Sequence, residues 1–211
     1  MRLVVFGATG PTGKEVVAQA LEEGDEVVAY ARNPAKLGIT NERLTVVQGE
    51  LSDRGQIERA IAGADAVVST LGPRGGSKVK PLTQGMRNIV AAMDKLAVRR
   101  IIITSTLSVG DRNDKRDLRA RALVFLVKFA MRPAYDEIVS VAETLRASDL
   151  DWTILRMTML NNKPKSGKVR AGYLGRGEVA ASFIARADIA GFILRCLRED
   201  SYLRQAPAIS N

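Results

Sequence analysis

A chain of 211 residues is long enough to bury one sizeable core without a disulfide, a structural metal or a partner. Cys196 is the only cysteine and there is no histidine, which excludes a disulfide framework and the usual thiolate or imidazole metal sites. The net charge of +9 comes mostly from scattered Lys and Arg, so it reads as a solvated surface and a field for anionic ligands rather than a nucleic-acid footprint. The densest stretch, from Arg112 to Arg121, mixes Asp114 and Asp117 with its cations and is read in the same two ways.

In chain order, apolar runs rich in β-branched residues alternate with stretches of helical period. Strands are expected over residues 3–6, 27–30, 44–47, 66–69, 101–104 and 153–155. Their near-continuous hydrophobicity fits parallel strands covered on both faces. Helices are expected over residues 13–23, 53–62, 82–96, 133–147 and 188–197, with Ser52 as the cap of the second and Gly24 and Gly63 as stops. The pattern predicts an α/β fold: a Rossmann-like, doubly wound parallel sheet in three α/β/α layers, one domain over residues 1–211. Substrate-edge elements are expected around residues 111–132 and 157–180. Residues 118–131 read either as a helix over the substrate cleft or as a core helix, and residues 161–178 as a loop or short hairpin over the active edge. The first apolar run is too short for a signal peptide or a membrane span, and no longer one follows, so a cytoplasmic monomer is expected.

The strongest local signal is Gly7-Ala8-Thr9-Gly10-Pro11-Thr12-Gly13, which follows the first strand and opens the first helix. Gly7 suits a tight turn, Gly10 a close approach of backbone to a pyrophosphate, and Gly13 close packing of helix on strand. The free N–H groups at the helix start make an anion site. NAD enzymes carry an acidic residue after the second strand, where it accepts from the ribose hydroxyls. Here that turn reads Arg32-Asn33-Pro34-Ala35-Lys36. A guanidinium cannot accept a hydrogen bond but pairs with a 2′-phosphate, so NADP(H) is expected over NAD(H). Glu50 and Leu51 follow the third strand, where such folds cradle the adenine, and Leu71, Gly72 and Arg74 follow the fourth.

The G-x-x-G-x-x-G spacing resembles the extended and atypical short-chain dehydrogenase/reductases. With the Arg32 turn, Leu71-Gly72, residues 85–93, Thr104-Ser105 and residues 188–197, the chain resembles the flavin reductase/biliverdin-IXβ reductase group of that family. The resemblance implies NADPH-dependent hydride transfer to a flavin, bound as substrate, or to another planar acceptor such as a quinone or a tetrapyrrole. It also implies that Thr9, Gly10, Thr12 and Gly13 surround the pyrophosphate, that Arg32 meets the 2′-phosphate, and that Leu71, Gly72 and Arg74 line the middle of the cofactor. Ser105 would sit beside the nicotinamide. Relatives carry histidines near the substrate, whereas residues 156–160 here hold none, which sets tetrapyrrole reduction apart from flavin reduction.

Alcohol dehydrogenases of this class use a Tyr with a Lys four residues later, which lowers the phenol pKa. Tyr30, Tyr135, Tyr173 and Tyr202 are followed at that spacing by Pro34, Val139, Gly177 and Ala206, so no acid–base pair is found. Reduction of an electron-poor acceptor asks mainly for orientation, for which Ser105 or Thr106 is the candidate. The same missing pair supports the alternative of a non-catalytic dinucleotide sensor or assembly module of NmrA-like type. Cys196 and Trp152 read as packing residues.

Overall fold

A strand that is apolar on both sides must be covered on both sides, and the alternation of side chains then feeds two cores. The computed structural model describes residues 1–73, 81–179 and 183–211, with backbone alone for residues 119–121, 123 and 127. Strand β1 (Arg2–Phe6) sends Leu3 and Val5 into one core and Val4 and Phe6 into the other. Helices α1 (Pro11–Glu22) and α6 (Arg186–Arg198) pack together over the first core. Helices α2 (Arg54–Ile61), α3 (Pro81–Lys95) and α5 (Arg132–Arg146) cover the second. The result is a Rossmann-like single-domain α/β sheet with helices on both faces.

The remaining expected strands form as β2 (Glu26–Ala31), β3 (Leu44–Gln48), β4 (Ala66–Ser69), β5 (Arg100–Thr106) and β6 (Asp151–Met157). Together with β8 (Arg170–Gly172) and β10 (Ala208–Ser210) they make one sheet in the order β3-β2-β1-β4-β5-β6-β10-β8, parallel except for the last pair. Strand order reverses between β1 and β4, and a ligand crevice opens outside the strand C-termini at such a point. Register aligns those termini: Phe6 lies beside both Tyr30 and Ser69, and Ser69 beside Ile103.

Four details differ from the sequence expectation. Helix α2 is capped by Asp53, whose carboxylate accepts the Gln56 N–H at 3.0 Å, and not by Ser52. Residues 161–178 are not one hairpin. Strand β7 (Met159–Asn161) pairs in parallel with β9 (Phe183–Ala185), while β8 joins the main sheet through β10, which the sequence pattern did not reveal. Three-residue strands carry too few positions for a period to register. The loop before β8 packs along the α1–α6 face rather than over the strand ends: the Lys165 ammonium donates to the side-chain amide oxygen (Oε1) of Gln19 on α1 at 2.6 Å. Finally, helix α4 (Leu118–Ala130) is not a core helix. It packs on α5 and leaves Leu118, Phe125, Leu126 and Phe129 between 62% and 83% exposed.

Candidate functional site

The turn after β1 is built by what its glycines lack. Gly7 has φ of +81°, the left-handed region, and a Cβ there would lie 2.8 Å from the Thr70 hydroxyl oxygen. A Cβ on Gly13 would press into the Gly7 carbonyl group, 2.8 Å from its carbon. Strand and helix are therefore in backbone contact. The Gly10 N–H closes the turn on the Gly7 carbonyl at 2.9 Å, and Thr70 ties in from β4 by donating its hydroxyl to the same carbonyl at 3.2 Å. Helix α1 begins with Gly10 at the cap, Pro11 in its first turn, no capping side chain and no acidic residue in that turn. Thr12 and Gly13 are buried and Thr9 half-buried. The N-terminal amides and the positive end of the helix dipole give this turn the chemistry of an anion site.

Next to this turn, the end of β2 presents cations. Arg32 and Lys36 are exposed, Lys36 in the 3-10 turn Pro34–Lys36, and neither side chain has a partner among the described residues. Lys14 adds a third. It sits in the first turn of α1, where the helix dipole disfavours a cation, and leans toward the turn at Gly38. That mismatch between charge and helix end is the signal by which sequence reasoning could have added it.

The turn after β3 is clamped from two sides. The Tyr30 hydroxyl donates to the Glu50 carbonyl at 2.8 Å, and the Asn88 amide of α3 donates to the Leu51 carbonyl at 2.8 Å. Glu50 points to solvent, whereas the Leu51 side chain packs toward Gly85 of α3. After β4, Leu71 is half-buried against the second core. Gly72 is exposed, and a Cβ there would meet nothing within 4 Å among the described residues. Packing among the described residues thus gives no reason for glycine at 72. Arg74 lies outside the described residues. On β5, alternation from Ile102 puts Thr104 toward the α1–α6 layer and Ser105 toward the other. Ser105 is buried, and the Thr106 hydroxyl oxygen accepts the Ser108 N–H at 3.3 Å.

In register with Ser105 stands Arg156 of β6, fully buried. Its two terminal nitrogens grip the Asp114 carboxylate at 2.6 and 2.8 Å, and it also donates to the carbonyls of Val109 at 3.2 Å and Ala206 at 2.5 Å. Asp114 accepts in turn from the backbone of Asp111 and of Leu174, and Asp111 accepts the Ala206 N–H at 2.8 Å. Burial alone would raise the Asp114 carboxyl, but Arg156 and these N–H groups hold it below the ordinary carboxylate range. One buried ion pair thereby fixes the loop after β5, the segment at Leu174 and the approach to β10. The sequence reading took Asp114 as part of a solvated charged stretch. Its partner lies 42 residues away, so no local pattern could mark it.

A second clamp sits at the start of α6. The buried Asp188 carboxylate accepts from the Ser166 N–H and hydroxyl, the Gly167 N–H and the Asn211 amide, all at 2.8–2.9 Å. Burial would raise its carboxyl, and these donors hold it low instead.

Three of the phenols, Tyr30, Tyr173 and Tyr202, lie above the ordinary range. Burial, with Asp53 and Glu50 adding to it, pushes Tyr30 up to about 12, and burial also raises Tyr173 and Tyr202. Burial takes the Cys196 thiol to about 11, so it remains an unreactive core group at neutral pH. Among the described residues no cluster of three or more His, Cys, Asp or Glu is placed to hold a metal ion, and no helix is long and apolar enough to cross a membrane.

A family model described as NAD(P)H-binding matches residues 7–200, which takes in the glycine turn and all six helices α1–α6. The chain belongs to that family. Among curated relatives, a (4-alkanoyl-5-oxo-2,5-dihydrofuran-3-yl)methyl phosphate reductase of Streptomyces griseus is 26% identical, aligned over 99% of this chain and 67% of its own length. The photosystem II assembly factor Ycf39 of Synechocystis is 24% identical over 74% of this chain, which spans 44% of that protein. Among solved structures, a short-chain dehydrogenase/reductase of Veillonella parvula in complex with NADP superimposes with a TM-score of 0.79 at 22% identity, covering 100% of this chain and 94% of that one. ChuY, an anaerobillin reductase from Escherichia coli O157:H7, gives 0.78 at 23%, covering 99% and 96%. At such identities the structural likeness concerns the fold.

Proposed function

We propose that the protein is an NADPH-dependent oxidoreductase that reduces a planar, electron-poor acceptor, with a flavin as the preferred class and quinones or tetrapyrroles as neighbours. The observation that carries this reading is the pairing of a glycine-built anion cradle with the unpartnered Arg32 guanidinium one strand away. Thr9, Gly10, Pro11, Thr12 and Gly13 hold the diphosphate through backbone amides. Arg32, supported by Lys36, meets the 2′-phosphate, and Glu50 and Leu51 border the adenine. Gly72, which no packing among the described residues requires, lets the cofactor pass close to the backbone beside Leu71. Arg74 joins this group as a phosphate or acceptor contact.

When bound, the nicotinamide supplies a hydride. The protein's part is to hold donor and acceptor in reacting contact and to keep water out, with Thr104 and Ser105 at the end of β5 as the positioning polar groups. The phenols held at high pKa argue against proton exchange with an alcohol, and so for an acceptor whose protons come from solvent. The reductase and ChuY among the similar proteins are in keeping with this reading, and the assembly factor keeps a non-catalytic dinucleotide sensor as the competitor.

The deciding experiment is calorimetric titration with NADPH and NADH, followed by loss of nicotinamide absorbance with FMN, riboflavin, a quinone and biliverdin. Tighter binding of NADPH together with turnover of FMN is the expected result. NADPH binding without turnover of any acceptor would overturn the enzymatic reading in favour of the sensor.

A further inference from the structure

Helix α4 combines two features that a water-facing helix rarely carries together. Leu118 is 78% exposed, Phe125 71%, Leu126 62% and Phe129 83%, and Met131 just beyond it is 54% exposed. Leu118, Phe125 and Phe129 follow the seven- and four-residue spacing of one helical stripe, with Leu126 beside it. The sequence of α4 contains Arg119, Arg121 and Lys128 and no acidic residue. Exposed Arg112, Lys115 and Arg116 lead into the helix, and exposed Arg132 follows it. Of the two acids just before the helix, Asp114 is consumed by Arg156 and Asp117 is half-buried.

We infer that α4 is a docking surface for an anionic lipid bilayer, with the Phe and Leu side chains entering the acyl boundary and the flanking Lys and Arg resting on headgroup phosphates. A helix of 13 residues rises about 20 Å, short of the roughly 30 Å hydrocarbon core, and Lys128 interrupts it, so it lies in the interface and does not cross it. Charge decides against a second copy of the chain as the occupant. Two-fold pairing through this face would set cationic helices against each other with no acid on α4 to answer them. A bilayer needs no shaped groove, only apolar side chains ringed by cations. The inference does not rest on the redox reading and survives or fails without it.

The test is sedimentation of the full chain with vesicles of phosphatidylcholine alone and of phosphatidylcholine mixed with phosphatidylglycerol, at low salt and at about 1 M salt, where charge is screened beyond roughly 3 Å. The anionic vesicles are expected to capture the protein roughly tenfold more tightly than the neutral ones, and to release it at high salt. The double variant Phe125→Ser/Phe129→Ser and, separately, Lys115→Glu/Arg116→Glu are each expected to lose roughly tenfold in capture while keeping the parent circular dichroism and cofactor binding. If the apolar variant does not fold, the charge variant decides. No capture by anionic vesicles, equal capture by neutral ones, or unchanged capture of the folded variants overturns the proposal. A concentration-dependent dimer that Phe125→Ser/Phe129→Ser abolishes would give the face to a second copy and likewise overturn it, as would retention on an acidic protein surface in place of lipid.

Discussion

The two halves of the sheet edge are held by opposite means. Around β1 and β2 the edge is made of backbone: Gly7 and Gly13 bring strand and helix into direct contact, and the polar groups left over point outward for a ligand. Around β6 and β10 it is made of buried charge, with Arg156 and Asp114 tying three segments together and Asp188 gathering a fourth. The first arrangement frees donors and the second consumes them. A ligand that needs anion contacts is therefore served by the first half, while the second half fixes the walls beside it.

The sharpest way to break this contrast is to unpair the buried charge. Asp114→Ala leaves the Arg156 guanidinium without an anion and should lower stability by about 3–5 kcal/mol, read from denaturant midpoints. The double replacement Asp114→Leu/Arg156→Met should recover most of that loss, because no lone charge remains buried. If the single variant proves as stable as the parent, the clamp is not what holds this edge. In the backbone half, Gly13→Ala drives a Cβ into the Gly7 carbonyl. It should cost roughly 1–3 kcal/mol and abolish NADPH binding, because the turn must open to admit the methyl group. Unimpaired binding would show that the turn has slack.

Smaller effects refine the comparison. Arg32→Ala should weaken NADPH about 10- to 100-fold and leave NADH nearly unchanged, the expected loss of one charge-assisted contact to a phosphate. Equal weakening of both coenzymes would move Arg32 away from the 2′-phosphate. The smallest effect concerns acid. Asp114 and Asp188 are held below the usual carboxylate range when folded, so the unfolded chain binds protons first as pH falls. The stability they contribute is fully present above the unfolded value near pH 4 and is lost as pH drops below it through their folded values. Asp188→Asn should lower stability by about 1–2 kcal/mol at neutral pH and flatten the acid limb of the stability curve. An unaltered limb would mean that this carboxylate titrates as an exposed one does.

How much could be read in advance follows the same divide. The six parallel strands and the glycine turn each leave a local trace: the inner strands, buried on both faces, need a continuous apolar run, the edge strand β3 keeps a β-branched run although mostly exposed, and a turn with φ of +81° at Gly7 favours glycine. For helix α4 the sequence left a core helix and a helix over the substrate cleft both open, because apolar content has no local mark that separates a core position from an exposed one; its packing on α5 excludes the core reading. The cap of α2 was misplaced by one residue because Ser52 and Asp53 are both good caps, and only the course of the chain settles which carboxylate or hydroxyl meets the Gln56 N–H.

By itself the sequence determined the strand order's raw material, the glycine turn at residues 7–13 and the cation at 32, because each depends on neighbours a few residues apart. Tertiary structure alone decided that Asp114 belongs to Arg156, that Asp188 belongs to Ser166 and Asn211, and that β10 slips between β6 and β8. Those choices join residues 22 to 60 positions apart, and the free energy of pairing a buried charge depends on where the folded chain carries its partner, which no short stretch of sequence encodes.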